Sequence, residues 1–127
     1  MRQVRVDLDT RSYPILIGAG LLSVPGCLSP YISGTQVLVV TNDRVGPLYL
    51  RRAVAALEGK ETATLVLPDG ERHKTMATLS RIFDALIDSR FDRGVTLAAL
   101  GGGVIGDLTG FAAACYQRGV DLSLIHI

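Results

Sequence analysis

The sequence predicts an α/β protein: a parallel sheet with flanking helices, preceded by an N-terminal β-hairpin. Three apolar runs of strand length, at 36–41, 62–67 and 95–100, alternate with segments whose apolar residues recur at helical spacing. A glycine turn, Gly101-Gly102-Gly103-Val104-Ile105-Gly106, follows the third run at once and leads into another helical segment. Strands joined through helices must cross over, and crossovers make the sheet parallel.

Val4 to Leu8 alternates apolar and polar, and Tyr13-Pro14-Ile15-Leu16-Ile17 follows the turn-prone Asp9-Thr10-Arg11-Ser12. This pair is the expected hairpin, leading into a bend at Gly18-Ala19-Gly20. Residues 23–35 hold prolines, glycines and serines and read as a short helix plus loop. Gln36-Val37-Leu38-Val39-Val40-Thr41 is a continuous run suited to a strand buried on both faces, and Asn42-Asp43 ends it. Leu48, Leu50, Val54 and Leu57 place a helix over about 45–58. Thr62 to Leu67 reads as a second buried strand, closed by the turn Pro68-Asp69-Gly70-Glu71. Leu79, Ile82, Phe83, Leu86 and Ile87 fit an amphipathic helix over 75–89. Val95 to Leu100 is the third buried strand, and Val104 to Tyr116 is helical, with Ala112, Ala113 and Ala114 permitting close packing.

The 127 residues suit one domain, and 48% hydrophobic with 20% charged residues is enough apolar material for a core. A net charge of +1 without a Lys/Arg-rich block offers no footprint for nucleic acid or an anionic membrane. The longest apolar run, 95–105, is too short to span a bilayer and contains three consecutive glycines. Cys27 and Cys115 lie far apart without CxxC spacing, which predicts free, buried thiols in a reducing compartment and a cytoplasmic protein.

Gly101, Gly103 and Gly106 satisfy G-x-G-x-x-G between a strand and a helix, a Rossmann-like context. Glycines let a phosphate approach the backbone, and the first N–H groups of a helix lack intrahelical partners and point at the anion. A tight, closely packed strand-to-helix turn without a ligand is the alternative. Asp107 adds a carboxylate that suits the first turn of a helix, or that accepts a bond from a ribose hydroxyl or the nicotinamide amide. The motif follows a late strand rather than the first, and no ribose-reading acid lies downstream at the usual distance.

A second cluster, Asp69-Gly70-Glu71-Arg72-His73-Lys74, sits at the carboxyl end of the preceding strand, the edge where open α/β sheets bind ligands. Glu71 can bind ribose hydroxyls and Lys74 a phosphate; a solvated turn ahead of Thr75 is the alternative. Asn42 ends the earlier strand on the same edge, as a turn residue or a ribose contact. Arg118 either complements a helix C-terminus capped by Gly119 or forks onto a substrate phosphate. His73 is a lone histidine in a polar loop and reads as solvated.

Pro68-Asp69-Gly70-Glu71 with Lys74, Leu100-Gly101-Gly102-Gly103-Val104-Ile105-Gly106-Asp107-Leu108-Thr109-Gly110-Phe111-Ala112-Ala113, and Tyr116-Gln117-Arg118-Gly119 together resemble 3-dehydroquinate synthase. The likeness extends to Arg11-Ser12-Tyr13-Pro14-Ile15 and Val40-Thr41-Asn42, and so covers about residues 1–120. It implies an NAD- and divalent-metal-dependent phosphate lyase of the shikimate pathway. Such an enzyme converts 3-deoxy-D-arabino-heptulosonate 7-phosphate into 3-dehydroquinate and phosphate, using NAD without net redox change. Carried over, the NAD contacts are Asn42, Asp69, Gly70, Glu71, Arg72, His73, Lys74, Gly102, Gly103, Val104, Ile105, Gly106 and Asp107, and Arg118 meets the phosphorylated sugar acid.

Family members continue with a strand, a Pro-Thr-Thr segment and a helical domain that supplies the zinc or cobalt ligands, one Glu and two His. Asp121-Leu122-Ser123-Leu124-Ile125-His126-Ile127 does not fit that pattern. The expectation is a truncated NAD-binding domain over 1–120 and a foreign tail over 121–127. No catalytic residue or metal ligand falls in this chain, which alone is inactive and binds NAD weakly or not at all; the full-length enzyme is open to being a homodimer. Three alternatives stand beside this: another sugar-phosphate cyclase, a glycerol-dehydrogenase-like NAD enzyme, and a stand-alone NAD-binding module.

Overall fold

The computed structural model describes residues 2–9, 13–17, 21–92 and 94–125, without the side chains of residues 13–17 and 118. The expected turn at 10–12, the bend at 18–20 and the final residues 126–127 lie outside the described residues.

Strands β1 (Arg2–Val6) and β2 (Tyr13–Ile17) pair antiparallel, with Val4 opposite Ile15, and form the expected hairpin. The main sheet has four strands, β3 (Gln36–Asn42), β4 (Glu61–Leu67), β5 (Thr96–Leu100) and β6 (Asp121–Ile125), in the order β4-β3-β5-β6. Every neighbouring pair in it is parallel. Helices α1 (Gly46–Ala56), α2 (Met76–Asp88) and α3 (Gly103–Cys115) make the crossovers.

Side chains alternate across the sheet, as a pleated strand requires. Val37 and Val39 point to one face with Ala98 and Leu100, where Ala53 and Leu57 of the α1 region cover them. Leu38 and Val40 point to the other face with Leu97 and Ala99, beneath Leu79, Ile82 and Leu86 of α2 and Ile105, Leu108 and Ala112 of α3. Each fully buried Leu or Val in these layers stabilises the fold by about 1.5–3 kcal/mol. Thr75 caps α2, its hydroxyl accepting from the Thr78 N–H at 3.2 Å.

Three sequence expectations change. Residues 23–35 contain only a 3-10 turn at Ser29–Tyr31, because Gly26 (φ 76°) and Pro30 break any longer helix. β4 is an edge strand with exposed positions at Glu61, Thr64 and Val66, not a strand buried on both faces. The cysteines are free, but Cys115 is exposed at the end of α3 and Cys27 is half-buried in the loop before the 3-10 turn. Residues 121–125, set apart in the sequence, form β6 beside β5, with Leu97 opposite Leu122. Among the described residues no helix is long and apolar enough to cross a membrane.

The chain leaves β3 for β4 on one side and later returns to β5 on the other. β3 and β5 therefore diverge at their carboxyl ends into helices on opposite faces. Such a switch point opens a crevice beyond the sheet edge, the usual ligand position in open α/β folds.

Candidate functional site

The crevice between β3 and β5 is a groove of about 280 Å³ lined by Asn42, Arg44, Val45, Asp69, Gly102, Gly103, Val104 and Ile105. Its floor is the turn from β5 into α3. Gly101 stands at φ 147°, a backbone state that a side chain resists, and its N–H donates to the Ile125 carbonyl at 3.1 Å. The Thr41 hydroxyl donates to the Leu100 carbonyl at 2.8 Å in a fully buried position, fixing β3 against the start of the turn.

Gly102 and Gly103 differ from Gly101. A Cβ built on either would meet nothing within 4 Å. No packing contact among the described residues explains glycine there; the space above them is open, at the start of α3. Among the described residues no side chain caps that helix end. Free N–H groups, the positive end of the helix dipole and bare backbone together make an anion cradle. Gly106 differs again, since a Cβ there would lie 3.8 Å from Leu124 of β6, an ordinary packing contact.

The opposite wall is built around Asn42, which is 6% exposed. Its Oδ1 accepts from the N–H groups of Arg44 at 3.1 Å and Val45 at 2.8 Å, leading the chain into α1. That fixes the amide orientation, so Nδ2 donates to Asp69 Oδ1 at 3.1 Å. The Asp69 N–H in turn donates to Asp43 Oδ1 at 3.1 Å. The ends of β3 and β4 are thus tied together, and a carboxylate is held at the rim of the groove.

Beside the groove lies a second polar cluster. Lys74 Nζ donates to Asp107 Oδ2 at 2.8 Å and stands 3.6 Å from Glu71 Oε1. The hydrogen bond and charge of Asp107, followed by the charge of Glu71, hold the Lys74 ammonium above its ordinary pKa of 10.5. All three side chains are solvent-facing, so the pair positions the β4–α2 turn against α3 more than it stabilises the fold. Asp107 lies beyond the first turn of α3, because the helix starts at Gly103, so its partner is Lys74 rather than the helix N-terminus.

Of the residues singled out in the sequence, Asn42, Asp69, Gly102, Gly103, Val104 and Ile105 line the groove together. Glu71, Lys74 and Asp107 form the adjoining cluster. Gly70 (φ 118°) turns the chain ahead of them, and Arg72 Nε donates to His73 Nε2 at 3.2 Å within that turn. Arg118 ends a short 3-10 turn after Gln117 (φ 46°); its side chain lies outside the described residues. Sequence inspection missed Asp43, Arg44 and Val45. The Asn-Asp pair after a strand was a visible turn signal, but the closeness of Arg44 to Asp69 depends on β3 pairing with β4. Among the described residues no group of three or more His, Cys, Asp or Glu could hold a metal ion.

Comparison with known proteins adds to this geometry. The family model described as 3-dehydroquinate synthase N-terminal matches residues 64–126. The 3-dehydroquinate synthase of Azotobacter vinelandii is 59% identical over 121 residues, covering 95% of this chain and 33% of that protein. That of Methylococcus capsulatus is 58% identical over 120 residues, covering 94% of this chain and 33% of that protein. The chain thus spans about a third of the length of these relatives. Among solved structures, a 2-deoxy-scyllo-inosose synthase complexed with carbaglucose-6-phosphate, NAD+ and Co2+ superposes with a TM-score of 0.81 at 22% identity, over 99% of this chain and 35% of that one. The 2-epi-5-epi-valiolone synthase from Streptomyces hygroscopicus, with NAD+ and Zn2+ bound, gives 0.70 at 27% identity, over 95% of this chain and 33% of that one.

Proposed function

From its homology to the N-terminal part of the 3-dehydroquinate synthases, we propose that this chain is the NAD-holding portion of such an enzyme, acting in the cytoplasm on a small phosphorylated sugar acid. The reaction is conversion of 3-deoxy-D-arabino-heptulosonate 7-phosphate to 3-dehydroquinate with release of phosphate. The observation that carries the assignment is the unfilled space above Gly102 and Gly103, at the start of α3 and at the switch point of the sheet.

The residues present fit the cofactor. The N–H groups at 102–104 would hold its phosphates, and the Asn42–Asp69 wall would meet an adenosine ribose, the carboxylate accepting from hydroxyls. Lys74, held by Asp107, places a positive charge next to the groove. When bound, NAD supplies a reversible hydride acceptor. Arg118 is assigned to the substrate phosphate, which a guanidinium fork matches. The described residues do not fit a divalent-metal site, so no step is assigned to a metal here.

Chemical-shift mapping of the full-length enzyme that contains this chain, titrated with NAD, tests this, because it reads even weak binding. Saturable shifts at Asn42, Asp69 and 102–105 are expected. Shifts confined to other surfaces, or none at high NAD, would refute the assignment.

A further inference from the structure

We propose that Asp69 sets the groove's cofactor choice and restrains a latent 2′-phosphate receptor, Arg44; this rests on the groove being the NAD site. Asp69 is held from two directions, its N–H by Asp43 and its Oδ1 by the Asn42 amide. Oδ2 is left for a ligand or for Arg44, whose Nη1 stands 3.8 Å away, beyond hydrogen-bond distance. Both side chains line the groove.

The two side chains favour opposite ligands. A carboxylate accepts bonds from a ribose diol but repels the added negative charge of a 2′-phosphate, whereas a guanidinium matches a phosphate with two parallel bonds. Rigidity decides between them. Asp69 is pinned and 37% exposed, while Arg44 is 81% exposed and directed by this loose ion pair. A solvated pair of that kind constrains an arginine little. The fixed carboxylate therefore governs the wild-type groove and selects the free 2′-hydroxyl. Removing it leaves Arg44 at the same rim, free to turn onto a phosphate.

The test is titration of the full-length enzyme that contains this chain with NAD and with NADP, for wild type, Asp69→Ser and Asp69→Ser combined with Arg44→Ala. Wild type should prefer NAD by at least about tenfold, the scale of one uncompensated like-charge contact at a partly solvated site. Asp69→Ser should bring NADP level with NAD or ahead of it, and adding Arg44→Ala should remove that gain. Should Asp69→Ser fail to fold, Asp69→Asn keeps the acceptor for the Asn42 amide without the charge and takes its place. Equal NAD and NADP binding by wild type, or a folded Asp69 variant that keeps the wild-type preference, overturns the proposal while leaving the NAD assignment intact. Wild type that binds neither nucleotide overturns the NAD assignment, and this inference falls with it.

Discussion

A methyl group added in the Gly102→Ala protein points into open space, with no heavy atom beyond its chain neighbours within 4 Å. Gly102 sits at φ −88°, ψ −163°, extended backbone that alanine adopts readily. The fold should therefore be unharmed, and the lower chain entropy of alanine when unfolded should raise stability by up to about 1 kcal/mol. Binding should behave in the opposite way. The methyl occupies the volume through which a phosphate reaches the helix N–H groups, and each charge-assisted bond lost is worth about 1.5–3 kcal/mol. One such bond corresponds to roughly tenfold to a hundredfold weaker NAD binding. Urea denaturation reads the first quantity and NMR titration with NAD the second. Gly101→Ala is the control, because φ 147° at Gly101 is strained for alanine and should cost about 1–3 kcal/mol of stability. If Gly102→Ala kept both wild-type stability and wild-type NAD affinity, the open volume would not be a phosphate cradle.

Two further outcomes are expected. The Lys74 pKa is raised above 10.5 by Asp107 and Glu71, so the fold favours the charged amine. The stabilisation is fully present below pH 10.5 and is lost as pH rises through the higher folded value. Urea midpoints of wild type and Lys74→Met should then differ by a constant amount across the neutral range and converge only above pH 10.5; convergence near neutrality would mean that Asp107 is not the partner. Gly34→Ala would drive its Cβ into the Gly94 carbonyl oxygen, forcing the loops before β3 and β5 apart. A loss of about 1–3 kcal/mol is expected by urea denaturation, and an unchanged midpoint would show that the two loops separate freely.

The strands at the centre of the sheet are the most legible part of the sequence. β3 and β5 are covered on both faces, so their apolar runs are unbroken and their ends sharp. β4 has similar residues, yet its position at the sheet edge follows from the crossover after α1, which no local pattern encodes. The glycine turn could be recognised but not sorted. Gly101 answers a backbone angle, Gly102 and Gly103 an open volume, and Gly106 lies where a Cβ would make ordinary contact with Leu124; only the packed arrangement separates these cases. The sequence leaves Asp107 between the helix dipole and a ligand hydrogen bond, and does not point to its partner Lys74, which is 33 residues away. Arg44 went unnoticed for the same reason, since its significance depends on Asp69 arriving from another strand.

The switch point also has a bearing on how the molecule folds. Gln36 and Glu61, where β3 meets β4, are 25 residues apart, whereas Thr41 and Leu100, which bind β3 to β5, are 59 apart. Closing the longer loop carries the greater entropy cost, and each doubling of loop length adds about 0.6 kcal/mol. The two walls of the groove belong to these separately closed halves. No intermediate containing only β3, α1 and β4 possesses the cradle, so the proposed nucleotide would recognise the chain only after β5 has docked. Its binding energy then reinforces the longest-range pairing in the sheet, the contact that entropy opposes most.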